Sequence, residues 1–80
     1  MKVTLKLFAA VRDIVGATTR ELDLEAGATP ARVWTKLVDE YPALSPHRIP
    51  MVAVNEEYAE PDRRLEEGDE LAFIPPVSGG

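Results

Sequence analysis

The stretch from Gly27 to Pro42 constrains this chain most, because its residues suit one kind of element only. Thr29 can cap the free N–H groups of a helix, and Pro30 fits the first helical position, where its missing donor costs nothing. Val33, Trp34, Leu37, Val38 and Tyr41 then recur at helical spacing and form one apolar stripe. Pro42 stops the helix. Asp39 and Glu40 sit at the end that the helix dipole disfavours, at a cost of a few tenths of a kcal/mol. A helix with one apolar stripe must bury it against another layer, and the rest of the chain offers strands for that purpose.

Val3, Leu5 and Leu7 alternate with Lys2, Thr4 and Lys6, the period of a strand with one buried face. Ala9 to Val15 fits one or two helical turns, ended by Gly16. Arg20, Leu22 and Leu24 alternate with Thr19, Glu21 and Asp23, a second strand that pairs back antiparallel on the first. Ala43 to Pro50 reads as an irregular connection. Met51-Val52-Ala53-Val54 is a wholly apolar strand from inside a sheet, and Asn55 suits the positive φ of the turn after it. The pattern leaves room for a short extra strand near residues 57–59 before Leu71, Ala72, Phe73 and Ile74 form the last one, halted by Pro75-Pro76. The order β-β-α-β-β predicts an α+β fold, a mixed sheet of four to five strands packed on one main helix.

Composition removes most kinds of chemistry. The 80 residues contain no cysteine and one histidine, so disulfides, thiolate nucleophiles and His-rich metal sites are excluded, and no metal site is expected. A net charge of −5 has the wrong sign for nucleic acid. There is no apolar run of membrane-spanning length and no signal-peptide core after Met1, which reads as a cytoplasmic protein. His47 sits between Pro46 and Arg48 as a solvated loop histidine, and Arg63-Arg64 is too short for a nucleic-acid patch. Glu56-Glu57 and Glu66-Glu67 read as turn residues and solubilising charge rather than a catalytic pair across a cleft. Trp34 belongs to the core stripe. No side chain here is a convincing catalyst.

Two features ask for more. If Leu7, Leu71 and Phe73 face the helix, then Phe8, Ala72 and Ile74 face away from it. With the first and last strands as central neighbours, Phe8 and Ile74 meet on the exposed side, and contiguous exposed apolar residues suggest a docking surface. The second feature is the ending Pro75-Pro76-Val77-Ser78-Gly79-Gly80. Two prolines hold a chain extended, and residues without side chains can thread a channel that any Cβ would block. The group delivered by such a tail is the α-carboxylate of Gly80.

Leu7-Phe8-Ala9-Ala10-Val11-Arg12, Val54-Asn55-Glu56-Glu57-Tyr58 and above all Gly68-Asp69-Glu70-Leu71-Ala72-Phe73-Ile74-Pro75-Pro76-Val77-Ser78-Gly79-Gly80 resemble the ubiquitin-like sulfur-carrier family. Within it the likeness is to the small subunits of molybdopterin synthase, and it covers the full length. The resemblance implies a ubiquitin-like β-grasp domain over residues 1–74 and an extended tail over 75–80. It implies that a ubiquitin-activating-type adenylyltransferase uses ATP to adenylate Gly80, and that a sulfur donor converts the adenylate to a thiocarboxylate. The large synthase subunit then takes the tail, and the sulfur passes to precursor Z (cyclic pyranopterin monophosphate) to build the dithiolene. The carrier itself binds no cofactor and supplies no catalytic side chain. The resemblance also implies that Gly79, Ser78, Val77, Pro76 and Pro75 thread the partner, that Phe8 and Ile74 anchor it, and that the assembly is a heterotetramer of two small and two large subunits. A ubiquitin-like modifier joined through Gly80 to lysines, a carrier for thiazole synthesis or tRNA thiolation, and a plain interaction module remain the alternatives.

Overall fold

The computed structural model describes residues 1–75. Strand β1 (Lys2–Leu7) is followed by helix α1 (Ala9–Val15), strand β2 (Thr19–Asp23), helix α2 (Pro30–Glu40), a short 3₁₀ turn (Pro42–Leu44), and strands β3 (Met51–Val54), β4 (Glu57–Ala59) and β5 (Glu70–Ile74). The strands form one mixed sheet in the order β2-β1-β5-β3-β4. β1 and β5, the first and last strands, lie parallel at its centre, and the other pairings are antiparallel.

The local signals act as expected. The Thr29 side chain accepts a hydrogen bond from the Arg32 N–H at 3.3 Å, and Pro30 occupies the first turn of α2. Gly16 ends α1 with φ +81°, and its N–H donates to the Arg12 carbonyl at 2.8 Å. The α2 stripe buries Val33, Trp34 and Leu37 against Leu5, Leu7, Leu71 and Phe73 of the sheet, which are all at most 1% exposed. The Trp34 and Phe73 rings meet edge to face, with centroids 5.3 Å apart.

Two connections differ from the sequence reading. Residues 43–50 do not form a wholly irregular loop. Pro42 opens a 3₁₀ turn in which the Leu44 N–H donates to the Tyr41 carbonyl at 2.9 Å, and this drives Leu44 to 0% exposure in the core. The polar run before β5 also contributes a core residue: the Leu65 N–H donates to the Ala28 carbonyl, which sets its side chain under the start of α2.

The turn from β3 to β4 is held to the start of β5 by side chains. Asn55 and Glu56 both take positive φ, 52° and 70°, the geometry of a tight hairpin turn matched to strand twist. Asn55 Nδ2 donates to Asp69 Oδ1, and the Glu70 N–H donates to Asn55 Oδ1, both at 2.9 Å. Asp69 is buried, and its Oδ2 accepts from the Glu66 N–H at 2.8 Å. Replacing Asn55 by Ala removes two of these bonds and leaves a buried carboxylate short of a partner. We expect a loss of about 2–3 kcal/mol, measured by urea unfolding; a loss below about 0.5 kcal/mol would show that the clamp is ornamental.

Candidate docking face and tail root

α2 covers one face of the sheet, and the register determines what the other face presents. Leu7 is opposite Phe73 in the parallel pair, so the next residues, Phe8 and Ile74, stand side by side at the end of β1 and β5. Met51 is opposite Ile74, Ala53 is opposite Ala72, and Tyr58 is opposite Ala53. Because side chains alternate across a strand, these residues share the face turned away from α2. Phe8, Met51 and Tyr58 are 42%, 48% and 72% exposed. Phe8, Ala53, Tyr58, Ala72 and Ile74 line one shallow depression, which Lys6 and Glu70 also line, paired with each other at 3.3 Å. This is a contiguous apolar patch beside a surface ion pair, the anatomy of an interface core with a polar rim.

Phe8 is placed by its backbone. It keeps an extended conformation at φ −137° and ψ 157°, so it prolongs β1 instead of entering α1. The chain then turns away at Ala9, whose φ is +50°. A left-handed conformation at a non-glycine residue costs roughly 1 kcal/mol. The reversal at Ala9 leaves Phe8 outside the core and beside the last strand.

The two apolar residues singled out from sequence are therefore brought together. Pro75 follows β5 directly and lies with Phe8 and Phe73 in the lining of a neighbouring cavity. Pro76, Val77, Ser78, Gly79 and Gly80 lie outside the described residues. Sequence reasoning missed Met51 and Tyr58 as members of the face. Alternation along β3 fixes only that Met51 and Ala53 leave the helix side once Val52 and Val54 take it; that they meet Ile74, Ala72 and Tyr58 there depends on the strand pairing. His47, Arg63 and Arg64 are exposed, and Glu67 Oε1 accepts from the Lys2 N–H at 3.1 Å instead of facing a second carboxylate. Among the described residues no His, Asp and Glu side chains gather as a metal site would require, and no helix is long and apolar enough to cross a membrane.

A mixed five-stranded sheet packed on a single main helix defines a ubiquitin-like β-grasp domain. The chain belongs to the ThiS family, whose model matches residues 5–80. Among curated proteins it is similar to the molybdopterin synthase sulfur carrier subunit of Mycobacterium tuberculosis, 39% identical over 100% of this chain and 99% of that one. It is also similar to the protein of the same name from Arabidopsis thaliana, 36% identical over 100% of this chain and 84% of that one. Among solved structures it is similar to SAMP1, a small archaeal modifier protein from Haloferax volcanii, with a TM-score of 0.81, 33% identity and 100% of both chains covered.

Proposed function

We propose that this chain is the sulfur carrier subunit of a molybdopterin synthase, with the Gly80 α-carboxylate as its working group. The observation that carries the reading is the open apolar face of Phe8, Ile74, Met51 and Tyr58, which ends at Pro75, where the tail begins. It stands beside full-length similarity to proteins that bear this name.

A carboxylate is a poor electrophile, and this chain offers no side chain to change that. In the proposed cycle a ubiquitin-activating-type adenylyltransferase directs a Gly80 carboxylate oxygen onto the α-phosphate of ATP, and pyrophosphate leaves. Sulfur at the oxidation level of sulfide attacks the acyl carbon, AMP leaves, and the product is a thiocarboxylate, a soft nucleophile that needs no base from the carrier. The large subunit docks on the Phe8–Ile74 face and takes Pro75 to Gly80 into its own active site. There the sulfur moves to precursor Z, and hydrolysis returns Gly80 to a carboxylate. Two sulfurs make one dithiolene, so each product takes two charged carriers, which suits a heterotetramer of two small and two large subunits. ATP and the sulfur donor are met only through the partners, in the cytoplasm where those enzymes work.

The likeness to a modifier protein supports a second reading, conjugation through Gly80 to lysines of other proteins. Intact mass of the chain purified from cells holding the pathway separates the two. The carrier reading expects a species heavier by about 16 Da, one oxygen replaced by sulfur, that disappears when Gly80 is removed. Lysine-linked conjugates without that species would favour the modifier.

A further inference from the structure

At the root of the tail the surface sinks into a cavity of about 350 Å³. Buried Val11 and Phe73 line it together with exposed Phe8 and Ala10, and Pro75 forms part of its wall. The loop before β3 adds the exposed side chains of His47 and Arg48. Neither takes part in an ion pair or a side-chain hydrogen bond among the described residues. The cavity is thus an apolar hollow with an uncommitted guanidinium beside it, on a chain whose net charge is −5.

Its position decides what can cover it. Phe8 lines both this cavity and the depression on the open sheet face, so the two surfaces share a border. Pro75 is also the residue that joins β5 to the last five residues, which the carrier reading makes the tail. A channel that receives the last residues has to begin next to Pro75, so the lip of that channel borders the cavity. A lip that buried Arg48 without an anion would leave an unpaired charge out of water, which is costly. A carboxylate there gains the two parallel N–H···O bonds that a planar guanidinium offers.

We infer that this cavity is a second anchor of the partner interface, filled by an apolar side chain from the channel lip of the large subunit with a neighbouring Asp or Glu set against Arg48. The inference rests on the carrier reading and adds to it the chemistry of the partner surface. It also gives the interface a filter: a lip that is cationic at this point is rejected, whatever its fit to the sheet face.

Calorimetric titration of the purified large subunit of a molybdopterin synthase from the same genome with the 80-residue carrier, at two salt concentrations, tests it. Arg48→Glu should raise Kd by about tenfold or more and flatten its salt dependence. Arg48→Lys, which keeps the charge and loses the planar fork, should weaken binding less than Arg48→Glu and keep the salt dependence. Ala10→Trp, which fills the hollow from α1, should raise Kd to a similar extent at both salt concentrations. Both sites are exposed, so the melting temperatures of the variants should stay at the wild-type value. Wild-type affinity in either Arg48→Glu or Ala10→Trp overturns the second anchor and leaves the carrier reading standing. Failure of the wild-type chain to bind the large subunit at all overturns both.

Discussion

Removing Gly79 and Gly80 should abolish sulfur transfer while leaving the melting temperature of the domain unchanged. In the proposed cycle the acyl carbon to be adenylated belongs to Gly80, and a chain shortened to Ser78 presents its carboxylate two residues short of the partner's reacting groups. Loss of the reacting group itself removes the whole rate enhancement, not a fraction of it. Stability should not follow, because the core of the described residues is already closed by β1, α1, α2, the connecting segments and the strands up to Phe73. Assay of molybdopterin formation with the truncated carrier, alongside a thermal melt, reads both quantities. Full activity in the truncation would sink the carrier reading, and a large drop in melting temperature would mean that the tail supports the fold.

The two phenylalanines should behave in opposite ways. Phe73 is 0% exposed and stacks edge to face on Trp34. Phe73→Ala should cost about 3–5 kcal/mol, the usual result of emptying a core aromatic site. A single core in a domain this small rarely supplies more than about 3–5 kcal/mol in total, so this variant should be largely unfolded at room temperature. Phe8→Ala, at a site 42% exposed, should stay folded with a loss near 1 kcal/mol and bind the large subunit at least tenfold more weakly. Circular dichroism and a binding titration on the two variants check this. A Phe8→Ala chain that unfolds like Phe73→Ala would place Phe8 in the core and remove the docking face.

How far the sequence carries the reader depends on whether a residue's fate is decided locally. α2 was legible because Thr29, Pro30 and Pro42 punctuate it and its stripe repeats at 3.6 residues. The outward turn of Phe8 and Ile74 followed from alternation alone, since a period of two leaves no choice of face. Leu44 and Leu65 were not legible as core residues. Each lies in a segment without a period, and their burial depends on backbone bonds to Tyr41 and Ala28 that no local pattern announces. Met51 and Tyr58 escaped for a related reason. Their membership of the open face depends on how β3 pairs with β5 and β4, and pairing register is a property of distant segments. The polar clamp of Asn55 and Asp69 joins residues 14 apart through a turn, where sequence suggests a turn and cannot say what closes it.

The parallel pairing of β1 with β5 has a geometric consequence for any partner. Both strands finish at the same end of the sheet, so Phe8 and Pro75 are neighbours. From that common origin the five residues Pro76 to Gly80 span at most about 18 Å when fully extended. The domain therefore works as a ruler with its zero mark at the Phe8–Ile74 seam. In the proposed cycle, an enzyme that charges or discharges Gly80 has to keep its reacting centre within that radius of the surface it grips.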